Sequence, residues 1–153
     1  MNAAPGGGEG PLLATVGYAE ATLPEMIARL RAAAVDVVLD VRAVAASRRA
    51  GFSKTVLRAS LAEADIGYVH LRALGTPKPG REAARKGRIA EMRAIFAEQF
   101  ATEAAQAQFA EAVAIAAERR AALLCWCADA AKCHRRAVAE ALAERLGRPW
   151  VDL

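Results

Sequence analysis

The chain is expected to fold as one α/β domain, a three-layer arrangement with a mostly parallel sheet of four to five strands flanked by helices. Three observations predict this. Short apolar runs alternate along the chain with stripes of helical period, the pattern of strand–crossover–strand units. No internal repeat or linker divides the 153 residues, a usual size for one domain. Hydrophobic residues make up 55% of the chain but aromatics only 5%, so Ala, Leu and Val must fill the core.

Each element follows from its residues. Leu12 to Val16 is an apolar run ending at Gly17, the pattern of a buried strand. Thr22 and Glu25 can form a capping box, with Pro24 tolerated in the first turn, and Ile27, Leu30 and Ala34 continue at helical spacing. Val35 to Val41 is nearly continuous and β-branched, as expected of a strand covered on both faces. A loop from Arg42 to Phe52 leads to Ser53, a candidate cap for a helix marked by Leu57, Leu61 and Ala64. Ile66 to Leu71 is a third strand. Thr76 to Gly87, with Pro77, Pro79, Gly80 and several cations, reads as a long exposed loop. Ile89, Met92, Phe96 and Phe100 form one helical stripe; Ala105, Phe109, Ala112, Val113 and Ala116 form another. Ala121 to Ala128 is a fourth strand, with Trp126 expected in the core. Asp129 can cap a helix running to Leu146, Gly147 ends it, and Pro149 to Leu153 can add a last short strand.

Composition bounds the function classes. No apolar run is long enough to span a bilayer, so no membrane partner is expected. Residues 1–10, rich in Pro and Gly, read as a disordered lead-in rather than a signal peptide, and residues 11–153 as the domain. Cys125, Cys127 and Cys133 are an odd number crowded together, which points to a reducing, cytoplasmic setting rather than a disulfide framework. The net charge of +4 and pI near 9.3 permit an anionic partner.

In parallel sheets, ligands bind at the carboxyl ends of the strands. Four segments deliver unusual residues there: Gly17 and Tyr18 after the first strand, Asp40 and Arg42 after the second, Gly75 after the third, Cys125 and Cys127 at the end of the fourth. Asp40 has two readings of equal weight, a general base or partner for Arg42, and a cap for local backbone groups. Arg42, Arg48, Arg49 and Lys54 follow the second strand with no acid between them. Lys78, Arg81, Arg85, Lys86 and Arg88 follow the third against Glu82 alone. Each run by itself is a solvated face; two on one edge favour an anion site, with phosphate the natural ligand for arginine.

The last helix adds a local contradiction. With Asp129 as cap, Lys132 falls in its first turn and His134, Arg135 and Arg136 in its second, where cations oppose the helix dipole. A bound anion reverses that sign. Arg136 can pair with Glu140, four residues on, whereas Arg135 has no such partner. His134 shares a face with Val138 and Leu142 and must point inward. Three readings of the cysteines compete: buried structural thiols, favoured for Cys125; a nucleophilic or redox-active Cys133 near a helix start; and, last, a metal site from Cys125, Cys127, Cys133 and His134. The C-x-C-x5-C-H spacing is not a common zinc pattern, and adjacent Cys-His rarely chelate one ion. Zinc is thus a minor option, and no cofactor is required.

Taken together, Thr15-Val16-Gly17, Asp40-Val41-Arg42, Ser47-Arg48-Arg49 with Gly51-Phe52, Tyr68-Val69-His70-Leu71 with Leu74-Gly75, and Leu124-Cys125 with Cys133-His134-Arg135 resemble the Domain of Unknown Function 488 family from about Leu13 to Gly147. The resemblance implies a compact α/β fold and no settled activity. The chain departs from the family pattern at Tyr18-Ala19, where relatives commonly have His-Ser, at Cys127, commonly Glu, and at Gly75-Thr76, often Gly-Gly.

Three functions are therefore in play. One is an enzyme or enzyme-like protein acting on a phosphate-bearing ligand, a nucleotide or nucleic acid. In it Arg42, Arg48, Arg49 and Arg135 bind the anion, and Cys133, His134 and Asp40 are the catalytic candidates. Tyr18, Gly75, Cys125 and Cys127 complete the pocket. The second is a non-catalytic nucleic-acid-binding module, disfavoured by the lack of interleaved exposed aromatics. The third is a metal-binding or thiol-redox protein built on the cysteine cluster.

Overall fold

A computed structural model describes residues 10–153; most of the expected N-terminal lead-in, residues 1–9, lies outside them. Among the described residues the sheet has five strands, β1 (Leu13–Gly17), β2 (Val37–Asp40), β3 (Gly67–His70), β4 (Ala121–Cys125) and β5 (Val151–Asp152). They are ordered β3-β2-β4-β1-β5, and every pairing is parallel. The helices are α1 (Leu23–Ala32), α2 (Lys54–Glu63), α3 (Lys78–Arg85), α4 (Ile89–Phe100), α5 (Glu103–Glu118) and α6 (Arg135–Leu146). The expected α/β architecture is the one found, and among the described residues no helix is long and apolar enough to cross a membrane.

Strand alternation divides the core into two layers. Ala14, Val16, Val38, Ala122 and Leu124 face α1 and α2, with Met26, Leu30, Leu57 and Leu61. Leu13, Val37, Leu39, Leu123 and Cys125 face the other way, onto Met92, Phe96, Ala112, Val138 and Leu142 of the longer helices. Small residues on α5, Ala105, Ala112 and Ala116, are fully buried, which lets that helix pack closely on α6 and the turn after β3.

Local signals act as their chemistry requires. Thr22 and Glu25 exchange both capping-box hydrogen bonds, Thr22 N–H to Glu25 Oε1 at 2.8 Å and Glu25 N–H to Thr22 Oγ1 at 3.3 Å. Gly147 ends α6 in the left-handed region with φ 66°. Ser53 precedes α2 but does not cap it with its side chain. Its hydroxyl instead joins Ser47, accepting from Ser47 N–H at 3.0 Å and donating to Ser47 C=O at 3.2 Å, and so pins the loop after β2.

Four expectations are corrected. The second and third strands are shorter than their apolar runs: Val35, Val41, Ile66 and Leu71 are buried but flank the paired residues, Val41 and Leu71 each adding one backbone hydrogen bond to the neighbouring strand. The segment Thr76 to Gly87 is not a loop: α3 occupies Lys78–Arg85, since Pro79 lies in its first turn and Gly80 lets it approach Thr76 and Ile95. The fourth strand stops at Cys125, so Trp126 leaves the sheet and is 52% exposed rather than core. Asp129 caps only a short 3-10 turn, Ala130–Lys132, accepting from Ala131 N–H at 2.9 Å. The long helix begins after it, so His134 is its N-cap and Arg135 its first residue.

Candidate functional site

The connections from β1 and β4 leave in opposite directions across the sheet, so the crevice between their ends is the topological switch point where ligands usually bind. Here it is filled. Gly17 pairs with Cys125 in register, and the chain beyond Cys125 folds back over Gly17. A Cβ on Gly17 would stand 1.8 Å from the carbonyl oxygen of Cys127. Ala19 N–H donates to Trp126 C=O at 2.8 Å and completes the crossing.

Arg135 holds this crossing from below. It is fully buried. Its Nη1 donates to Cys127 C=O, and its Nη2 to Ala128 C=O at 3.4 Å and Asp152 Oδ1 at 3.1 Å. Thr15 Oγ1 donates to the same carboxylate oxygen at 2.6 Å. The expectation that Arg135 lacks a partner is thus corrected: the partner is Asp152 on β5, the edge strand two positions from β4 in the sheet. A neighbour reached across the sheet is invisible to an i, i+4 reading.

Cys125, Cys133 and His134 converge beneath this crossing. Cys133 is extended (φ −126°, ψ 145°) and His134 helical (φ −63°, ψ −21°). The change in backbone conformation brings two adjacent side chains to one point. His134 Nε2 lies 2.7 Å from Val41 C=O. A carbonyl only accepts, so Nε2 carries a proton, and Nδ1 is the nitrogen that gains or loses the second one. That nitrogen faces Cys125 Sγ and Cys133 Sγ, each at 3.8 Å. The Phe96 ring packs against the imidazole, centroids 5.1 Å apart. Cys125, Cys133 and His134 are 7%, 5% and 7% exposed, while Cys127 is half-buried.

The electrostatics follow from the grouping. Burial pushes the Cys133 thiol up, but hydrogen bonds from Cys125 and Cys127 and the charge of His134 outweigh it and hold the thiol well below its ordinary value. Burial pulls His134 down, and the opposing Cys133 charge and hydrogen bond raise it overall. Cys127 is pushed up by hydrogen bonding to Cys125 and Cys133 and by burial. A hydrogen bond from Cys127 lowers Cys125, yet bonding to Cys133 and burial push it up. Once one thiol of three ionises, its neighbours cannot readily follow.

Asp40, Arg42 and Tyr18 form a separate interior network. Asp40 Oδ1 accepts from Arg42 Nε at 2.9 Å and from Arg42 backbone N–H at 3.1 Å. Its Oδ2 accepts from Arg42 Nη2 at 2.7 Å and Tyr68 Oη at 2.5 Å. Arg42 Nη1 donates to Tyr18 Oη at 2.9 Å and Phe52 C=O at 2.7 Å. Tyr18 stacks on Phe52 with centroids 4.2 Å apart. Of the roles read from sequence for Asp40, general base, partner of Arg42 and backbone cap, the hydrogen bonds display the last two. Burial and hydrogen bonding to Asp40 push the Tyr68 hydroxyl up. Tyr68, quoted from sequence only as part of a motif and not as a site residue, stands on β3 opposite Val38, one pleat before His70 meets Asp40.

The open space at the sheet edge lies elsewhere. A cleft of about 510 Å³ sits beyond the ends of β2 and β3, lined by Ala43, Val44, Gly75, Arg72, Arg81 and Gln99 among others. Gly75 shapes it, since a Cβ there would lie 2.2 Å from Ala43 N. Gln99 Nε2 donates to Ala73 C=O at 2.8 Å and Gln108 Oε1 accepts from Ala73 N–H at 2.7 Å, fixing two amides along one wall. Of the pocket residues singled out from sequence only Gly75 lines it, joined by Arg81 from the second basic run. Arg48 is exposed, and Arg49 is turned to Ala21 C=O at 2.5 Å. Arg72, Gln99 and Gln108 carried no sequence signal, because the cleft is assembled from four separate segments.

No curated protein and no solved structure matches the chain. A family model described as Domain of unknown function DUF488 matches residues 22–142, most of the length, and the chain belongs to that family.

Proposed function

We propose that the protein binds a phosphate-bearing small molecule, a nucleotide being the class that fits best, in the cleft beyond β2 and β3. The observation that carries this reading is the lining: Arg72 and Arg81 contribute guanidinium groups, and no acidic residue lines the cleft among those described. Its volume of about 510 Å³ is that of a small-molecule site. Arginine recognises phosphate through paired N–H donors, and two cations without a counter-charge favour a dianion. Arg72 is exposed and so ready to turn to a ligand. Arg81 is half-buried and steadied by donation from Nη1 to Thr76 C=O at 2.9 Å. The Thr76 hydroxyl, buried between two lining residues, has no partner among the described residues, a further polar group at this wall. Cys133, His134 and Asp40 do not line the cleft, so the reading is one of binding rather than of a reaction.

Isothermal titration with nucleoside mono-, di- and triphosphates and with inorganic phosphate tests it. A hydrogen bond to a charged group contributes about 1.5–3 kcal/mol, so Arg72→Ala or Arg81→Ala should weaken binding roughly 10- to 100-fold. Absence of binding by the wild-type chain, or unchanged affinity in the double variant, rules the reading out.

A further inference from the structure

We propose that Cys125, Cys127, Cys133 and Nδ1 of His134 form a Zn²⁺ site, independent of the cleft. The donor atoms of Cys125, Cys133 and His134 all lie within 4.8 Å of one another. Tetrahedral zinc with bonds of about 2.3 Å to sulfur and 2.0 Å to nitrogen requires sulfur–nitrogen separations of about 3.5 Å. Both sulfurs here stand 3.8 Å from Nδ1, so a shift of a few tenths of an ångström suffices. Nε2–H is held by Val41 C=O at 2.7 Å, so Nδ1, the nitrogen facing the sulfurs, is the one that gives up its proton to a metal. Metal-bound histidines are oriented by such a second partner. The objection that adjacent Cys and His chelate poorly is met by the backbone, extended at Cys133 and helical at His134.

Cys127, two residues beyond Cys125, stands outside that group of three and would close the shell as fourth donor by turning its half-buried thiol inward. Its backbone is fixed by Arg135 from one side and by close approach to Gly17 from the other. Three sulfurs and one imidazole in a tetrahedral closed set select zinc among the common divalent ions. Binding forms three Zn–S bonds and one Zn–N bond, and the thiol protons pass to solvent. The resulting single negative charge lies within Coulombic reach of the buried Arg135 guanidinium. All three cysteines are free thiols.

The full chain, purified reduced and without an affinity tag, should carry or take up one zinc per molecule by elemental analysis. Replacing zinc with Co²⁺ should give the thiolate-to-cobalt charge-transfer absorption and strong visible bands of a tetrahedral ion. Cys127→Ser changes one atom at a half-buried position, so it keeps the core, with circular dichroism as the check. It should weaken zinc binding by more than about 100-fold, beyond the 10- to 100-fold loss given by changes outside the ligand shell. Cys133→Ser should abolish the cobalt spectrum. Wild-type protein that binds no stoichiometric zinc, with all three thiols equally reactive whether or not zinc is added, would overturn the site. Unchanged affinity in Cys127→Ser would overturn the four-ligand assignment.

Discussion

Asp40 and Arg42, two residues apart at the end of β2, meet side-on in the interior, Nε to Oδ1 at 2.9 Å and Nη2 to Oδ2 at 2.7 Å. Asp40 is fully buried and Arg42 nearly so. Asp40→Asn therefore leaves a guanidinium buried without its counter-charge. Breaking one partner of a buried pair costs about 3–5 kcal/mol. Urea unfolding should show a lower midpoint with an unchanged slope. A loss below about 1 kcal/mol would mean that Tyr18 and Phe52 C=O alone can satisfy Arg42.

The Cys133 thiol should titrate below its ordinary range in metal-free protein. Thiolate absorbance in wild type minus Cys133→Ser should already be present at neutral pH and vanish only on acidification. An unperturbed thiol shows it only above about 8.5. The sign for stability differs between the two partners. Cys133 is lowered, so its contribution is full above about 8.5 and is lost as pH falls through the folded value. His134 is raised, so its contribution is full below about 6.5 and is lost as pH rises through its folded value. The two slopes offset each other where they overlap, which makes absorbance the direct measurement. A midpoint at or above 8.5 contradicts the lowered thiol.

How much of this was legible in the sequence depends on the range of each interaction. The strands are readable because burial on both faces demands continuous apolar runs, and the Thr22–Glu25 box because its partners lie three residues apart. Asp40 facing Arg42 was readable for the same reason. Arg135 was misread because Asp152 is near it only through the order of the strands. The Cys133–His134 convergence depends on two backbone angles that adjacency does not reveal. Trp126 reads as core because the apolar run continues past Cys125, beyond the point where the chain crosses Gly17. The cleft lined by Arg72, Arg81, Gln99 and Gln108 exists only once α3 to α5 have folded beside the end of β3.

Gly75→Ala links packing to the cleft. The added Cβ would lie 2.2 Å from Ala43 N and 2.4 Å from Ala43 Cα, both backbone atoms that cannot rotate away. The loop after β2 must move, and Ala43 and Val44 line the cleft. Overpacking of this kind costs about 1–3 kcal/mol. The variant should be less stable by that amount and bind phosphate-bearing ligands more weakly than its folded fraction explains. Affinity per folded molecule equal to wild type would separate the loop from binding.

Arg135→Ala should act on the fold around the cysteines rather than on an anion. The side chain is fully buried, its donors are directed at Cys127 C=O, Ala128 C=O and Asp152, and its Nε finds no partner among the described residues. Truncation leaves two carbonyls without their donor and a carboxylate without its counter-charge. It also opens a cavity under the chain crossing. Loss of a partner from a buried ion pair costs about 3–5 kcal/mol, and the partial exposure of Asp152 places this case at or below the lower end. The crossing fixes the Cys127 backbone, so the truncation should also reduce zinc affinity. Arg135→Lys discriminates charge from geometry. Lysine keeps the charge beside Asp152 but cannot span both carbonyls with a planar fork. It should recover part of the stability and little of the metal affinity. Full recovery of both would show that charge alone secures the crossing.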